Sequence, residues 1–304
     1  IWVIGMWLTS KWRPILVFSR KSFKDLFAFG SKLMASSFLY EIFAQSYPVI
    51  IGKFFSASQV GFYNRAESYQ KITSYTISSM VNSVTFPALS LIQNDDQRLR
   101  EAYRRIIKMT MLITVPLMAG LILIARPLII TLITAKWIQV VPYLQWMCVV
   151  GMFQPINVIN LNIVNVKGRS DLYLYLIIAN KVLIVLSIFV GYFWGIIGIL
   201  IGQVFTAVIS YAMSAYLADR FIKYSVFQQA KDIAPYFLLS TGMCIIGYLS
   251  GHYIDNLVVK MLLQIAVCMG FYYAMARVLK LTALDELISL ITNFIRRKPS
   301  ERKE

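Results

Sequence analysis

The sequence predicts an all-α integral membrane protein of about eight transmembrane helices. Three observations carry this. Charged residues make up 14% of the 304-residue chain, where soluble domains carry about 25%, and mean hydropathy is +0.65. The apolar residues fall into successive runs long enough to cross a hydrocarbon layer of about 30 Å, separated by short connectors. Basic residues crowd into alternate connectors: 22 of the 30 Lys and Arg lie in the segments 11–25, 98–108, 167–169, 220–231 and 277–303. That asymmetry places those connectors and the C-terminus in the cytoplasm.

Taken in order, residues 1–8 are apolar but too few to span. They lack the basic start of a signal peptide and read as the tail of a preceding helix, so the sequence is expected to be the C-terminal part of a longer protein. Residues 9–27 form a basic cytoplasmic connector. The first two spans, Phe29–Gly52 and Ile72–Ile92, make a hairpin joined by the stretch from Gly52 to Ala66 and beyond. The polar run Gln93–Arg105 starts a helix with Asp95 and Asp96 near its N-terminus. Met109–Thr134 and Val140–Val166 are the third and fourth spans, with Pro116, Pro127, Gly151 and Pro155 inside them. Lys167-Gly168-Arg169-Ser170-Asp171 is a tight turn. Leu172–Trp194 and Ile196–Leu217, joined by Gly195, complete a six-helix unit over 28–217. Residues 218–279 add a final pair, Ala234–Tyr253 and Leu257–Leu279. In the tail, 280–304, Leu284, Leu287, Ile288, Ile291 and Ile295 recur at three- and four-residue spacing, which predicts an interfacial amphipathic helix before the basic Arg296-Arg297-Lys298.

Composition excludes several function classes. The net charge of +16 sits between apolar spans, so it reflects topology and not nucleic-acid binding. Cys148, Cys244 and Cys268 lie inside apolar stretches and read as small hydrophobes. The single His252 leaves no zinc cluster, and no cofactor is expected. No G-x-x-x-x-G-K-[ST] run is present, and no connector is large enough for a soluble catalytic domain. The chain is not read as an enzyme.

Some polar residues sit where lipid would reject them. Ser74, Ser78, Asn82 and Thr85 fall at i, i+4, i+8 and i+11 and share a helical face. Gln154, Asn157 and Asn160 lie in the fourth span, with Asn162 and Asn165 on another side. Such groups line a wet cavity or bond neighbouring helices, and both readings stay open. Lys181, beside Asn180, sits near mid-span, where a lysine costs roughly 3 kcal/mol. It either meets an anionic ligand or pairs with Glu41. Lys32 is a turn into its helix and either joins the cavity or snorkels to the interface. Glu41, the one carboxylate deep in a predicted span, is a candidate for ion coupling or for a fixed salt bridge to Lys181 or Lys32.

The run Ile51-Gly52-Lys53-Phe54-Phe55-Ser56-Ala57-Ser58-Gln59-Val60-Gly61-Phe62-Tyr63-Asn64-Arg65-Ala66 resembles the signature after the seventh helix of bacterial polysaccharide exporters. These are lipid-linked oligosaccharide flippases of the colanic-acid-exporter type, in the multidrug/oligosaccharidyl-lipid/polysaccharide flippase superfamily. Phe86-Pro87-Ala88-Leu89-Ser90, Pro116-Leu117-Met118-Ala119-Gly120, Lys136-Trp137, Gly168-Arg169-Ser170-Asp171-Leu172 and Trp194-Gly195-Ile196-Ile197-Gly198 fit in the same order. The resemblance implies the second lobe and last two helices of a two-lobed, roughly fourteen-helix fold. It also implies a bacterial inner-membrane flippase that moves an undecaprenyl-pyrophosphate-linked oligosaccharide from the cytoplasmic to the periplasmic leaflet by alternating access. The partners would be that lipid-linked glycan, the phospholipid bilayer and other polysaccharide-assembly membrane proteins. Coupling to a proton or sodium gradient stays open. On this reading Lys181, Lys32 and the hydroxyl and amide residues serve the substrate cavity. The rivals are a cation-coupled multidrug exporter of the same superfamily, disfavoured by two in-span lysines against one glutamate, and a membrane enzyme of glycan assembly.

Overall fold

The computed structural model describes residues 19–44 and 46–296. It is helical throughout, with no strand among the described residues. The helices are α1 (Arg20–Ala44), α2 (Ser46–Phe54), α3 (Ala57–Leu91), α4 (Asp96–Leu132), α5 (Val140–Val166), α6 (Ser170–Tyr192), α7 (Gly195–Ile222), α8 (Val226–Ser250), α9 (Leu257–Val278) and α10 (Thr282–Arg296), with a 3-10 turn at Ala135–Trp137. Six of them, α4 to α9, are long and apolar enough to cross a membrane, so the chain is a multi-pass membrane protein. The other two expected spans fall on α1 with α2 and on α3. α3 is 35 residues long, but its Ser, Thr, Tyr, Gln and Asn content keeps it below the apolarity of its neighbours. The apolar stub and start of the connector, residues 1–18, and the tail beyond Arg296 lie outside the described residues.

The helix boundaries correct the sequence reading at two places. Residues 20–27, expected to be connector, are the first turns of α1. Most of the expected loop from Gly52 to Lys71 is also helix. Only Phe55 and Ser56 separate α2 from α3. Ser56 caps α3: its hydroxyl accepts the Gln59 N–H at 3.3 Å and Gln59 Oε1 accepts the Ser56 N–H at 3.1 Å. This reciprocal box satisfies two backbone donors and starts the helix four turns earlier than hydropathy suggested. At α4 the expected start is found, with Asp95 accepting the Arg98 N–H at 3.0 Å. Pro116 and Pro127 lie within α4 and Pro155 within α5.

α5 is the central helix and packs against α3, α4 and α7. α6 packs on α7 and on α1; α8 and α9 pack against α4. The α6–α7 hairpin turns at Gly195, whose φ of +72° suits glycine. The two helices then meet backbone to backbone, and a Cβ on Gly191 would lie 2.7 Å from the Gly198 carbonyl oxygen. Small residues at such a crossing let membrane helices approach closely.

Ion pairs gather at the end of the bundle where α4, α8 and α10 begin. Asp232 of α8 takes Arg104, Lys108 at 3.1 Å and the Tyr224 hydroxyl at 2.6 Å. Lys167 meets Asp96 at 2.7 Å, and Arg105 meets Glu286 of α10 at 2.6 Å. α10 buries Ala283 and Leu284 against the bundle and packs Leu287 and Ile288 beside them. The expected apolar face is therefore turned at least partly onto α4; Ile291 and Ile295 have side chains outside the described residues. Replacing Asp232 with Ala removes the acceptor shared by three donors. Discounted for the half-exposed Arg104, it should destabilise the protein by about 1–2 kcal/mol, read as a lower midpoint of unfolding in detergent, with a smaller effect for Asp171→Ala.

Candidate functional site

A cavity of about 400 Å³ lies among α2, α3, α5, α6 and α7, with Phe43 of α1 at its edge. One wall is a stripe on α7: Gln203, Thr206, Ser210 and Ser214 fall at i, i+3, i+7 and i+11 and all face inward. Opposite them α3 contributes Tyr63, Glu67 and Gln70, and α2 contributes Tyr47. Tyr63 accepts a hydrogen bond from Gln203 Nε2 at 2.8 Å, and Glu67 pairs with Lys71 at 3.0 Å. α5 adds Gln154 and Asn157, and α6 adds Asn180 and Lys181. Burying this many polar groups in an apolar bundle is costly unless they bond one another or a polar occupant.

Lys181 is 9% exposed, with Nζ 5.7 Å from the centroid of the Phe43 ring. The Asn180 amide hydrogen-bonds the Ser210 hydroxyl. The structure thus gathers Lys181, Asn180, Gln154 and Asn157, widely separated in sequence, on one cavity. Gln70 Nε2 is buried without a hydrogen-bond partner at the same cavity.

Other sequence candidates are placed elsewhere. Ser74, Ser78 and Thr85 are buried but do not line the cavity; α3 and α5 pack together along this stretch. Ser74 donates to Gln154 Oε1 at 2.6 Å, so it positions a cavity residue instead of lining the cavity. Asn82 is exposed. Eight residues beyond Ser74 a helix has turned about 80° past the starting face, which carries Asn82 to the outward side of α3 with Ser68, Tyr75 and Ser79. Asn160 is fully buried below the cavity, between Tyr103 and Ser214. The side chains of Lys32 and Glu41 lie outside the described residues.

Sequence reasoning missed Glu67, Gln70, Tyr63 and the α7 stripe. The first three were assigned to an outward loop; the Ser56–Gln59 capping pair was the available signal for helix there. The α7 stripe was legible as polar residues at helical spacing inside an apolar run.

The helix arrangement and the buried polar cavity define a membrane-embedded bundle of the flippase fold. It superimposes on Lipid II flippase MurJ in an inward closed conformation with a TM-score of 0.61 at 20% identity, over 86% of this chain and 57% of that one. Residues 1–142 match the family model described as "Polysaccharide biosynthesis protein". The chain is 28% identical over 240 residues to the teichuronic acid biosynthesis protein TuaB of Bacillus subtilis (strain 168), 78% of this chain and 50% of that protein. It is 24% identical over 242 residues to the lipopolysaccharide biosynthesis protein WzxC of Escherichia coli (strain K12), 79% of this chain and 49% of that protein. The chain spans about half the length of these curated relatives. Over most of its length the chain is thus similar to bacterial proteins named for polysaccharide biosynthesis, in keeping with the ordered motifs.

Proposed function

We propose that this chain forms part of an exporter that flips a lipid-linked, anionic oligosaccharide across a bacterial inner membrane, from the cytoplasmic to the periplasmic leaflet, with its C-terminus in the cytoplasm. The observation that carries this is a lysine buried at mid-span in a cavity where amides and hydroxyls from α2, α3, α5, α6 and α7 stand among apolar side chains. Amides and hydroxyls replace water around sugars, and an ammonium offsets phosphate charge. A single carboxylate lines the cavity among the described residues, Glu67, and it is already paired with Lys71. That balance suits an anionic headgroup better than a cationic drug, which would need unpaired carboxylates. The relatives named for teichuronic acid and lipopolysaccharide biosynthesis support a glycan substrate, and we take its carrier to be undecaprenyl pyrophosphate.

The outward face of α3 completes the picture. Ser68, Tyr75, Ser79 and Asn82 are exposed on it, and a helix surrounded by lipid would not carry such a stripe. On this reading α3 stands between the half-open cavity and an outward side where these polar residues, among exposed Ile72 and Phe86, would meet passing sugars. Glu67, which lines the cavity beside Lys71, joins Glu41 as a candidate carboxylate for coupling the cycle to protons or sodium. Other polysaccharide-assembly membrane proteins would be its partners.

The test is complementation. The gene product containing this chain is expected to restore surface polysaccharide in a strain lacking its polysaccharide flippase, with membrane levels matched by immunoblot. Restoration of no glycan in a panel of such strains, with gain of cationic drug efflux, would overturn the assignment in favour of a multidrug exporter.

A further inference from the structure

A second cavity, an apolar groove of about 680 Å³, runs along the crossing of α6 and α7. Its floor is largely backbone. Gly191 and Gly198 bring the two helices together, and a Cβ on Gly202 would lie 2.9 Å from the Ser187 carbonyl oxygen. No side chain therefore fills the line of contact, while exposed Leu186 and Val190 of α6 and Phe205 and Ile209 of α7 stand beside it. No charged residue lines the groove among the described residues. The Ser187 hydroxyl donates to the Ile184 carbonyl at 2.9 Å, so it asks nothing of an occupant.

From Ile197 to Ile209 the groove follows α7 for about 18 Å, more than half of a hydrocarbon layer of about 30 Å. Its two ends differ. One end is marked by exposed Trp194, with Tyr192 and Phe193 beside it, and such aromatic residues collect at the membrane–water interface. The other end reaches the polar cavity. Thr206 lines both, and the hydroxyl of Tyr47, a cavity residue, shares a hydrogen bond of 3.4 Å with the Ser187 hydroxyl. A cationic, hydroxyl-rich chamber thus adjoins a long apolar trough. A molecule with an anionic head and a long hydrocarbon chain matches both at once; a bulk phospholipid chain matches only the trough.

We infer that the α6–α7 groove seats the hydrocarbon chain of the lipid whose anionic headgroup occupies the cavity. The identity of that lipid rests on the flippase reading. The headgroup lies by Lys181 and Thr206, and the chain runs from Thr206 toward Trp194. Lipid tails are as apolar as the groove, so the chain is held by close packing and by its tie to the headgroup, not by escape from water. With the C-terminus in the cytoplasm, as proposed above, Trp194 stands on the periplasmic side. The chain then lies in the periplasmic leaflet while the headgroup is still at mid-span. It changes leaflet before the headgroup leaves the cavity.

Native mass spectrometry of the intact gene product in detergent, titrated with undecaprenyl phosphate, tests it. Val190→Trp places a ring in the groove without touching the glycine crossing, and should weaken binding by about tenfold or more. Val185→Trp makes the same change on the same helix, at an exposed position outside the groove, and should bind like wild type. Ile209→Trp fills the inner end of the groove if Val190→Trp fails to fold. Equal binding by the Val190 and Val185 variants, or none by wild type, would overturn the inference; if complementation still succeeds, the export reading survives that failure. Phosphatidic acid binding weakened by Val190→Trp to the same degree would give the groove to bulk phospholipid and also overturn it. Weakening confined to Val190→Trp and undecaprenyl phosphate, with no strain complemented, would keep the chain site and remove the export reading.

Discussion

Lys181→Met is expected to lower export by about 10-fold or more at matched membrane levels of the protein. A charged hydrogen bond to an anionic headgroup contributes about 1.5–3 kcal/mol, and its loss weakens headgroup binding by about 10- to 150-fold. Lys181→Arg keeps the charge and should retain a substantial part of the activity, although the larger guanidinium must fit beside Phe43 and Ile184. The measurement is surface polysaccharide per molecule of membrane-inserted protein in the complemented strain. Full activity of Lys181→Met would show that the cavity does not use this charge. Equal loss in both variants would point to the shape of the site.

Gly198→Ala should be the most damaging single methyl in the bundle. An added Cβ there runs into the Gly191 carbonyl and Trp194, neither of which can move without parting α6 from α7. Overpacking of this kind costs about 1–3 kcal/mol. Because α6 and α7 form two walls of the cavity, the separation should also reduce export. Gly270 on α9 is the control, since a Cβ there meets nothing within 4 Å. Gly270→Ala should be neutral or mildly stabilising through helix propensity, by up to about 1 kcal/mol. Thermal unfolding in detergent distinguishes the two. Equal midpoints would mean that α6 and α7 do not meet as closely as the structure has them.

Much of this was legible along the chain, because each feature is local. α5 ends where its apolar run ends, Val140–Val166. The α4 cap at Asp95 and the reversal at Gly168, with φ of +68°, follow from short-range chemistry. A missed local signal accounts for the one long error in helix placement. The Ser56–Gln59 pair starts α3 well before the apolar residues do, and capping overrode hydropathy there. Expecting Ser74, Ser78, Asn82 and Thr85 to act as one surface failed for a different reason. Helical spacing says which residues share a face, but not what that face meets. Here α5 fills the space in front of Ser74 and leaves Asn82 on the outward side.

The sequence by itself determined the class of protein, the succession of apolar helices and the presence of polar groups that lipid would not tolerate, since these depend on composition and on periods of a few residues. Only the tertiary structure decided which of those groups meet. Lys181, Gln154, Glu67 and Gln203 come from four helices, and nothing within any one of them records their convergence. Contact between residues far apart in sequence is set by how helices pack, and that packing is the sum of many weak contacts that no local pattern encodes.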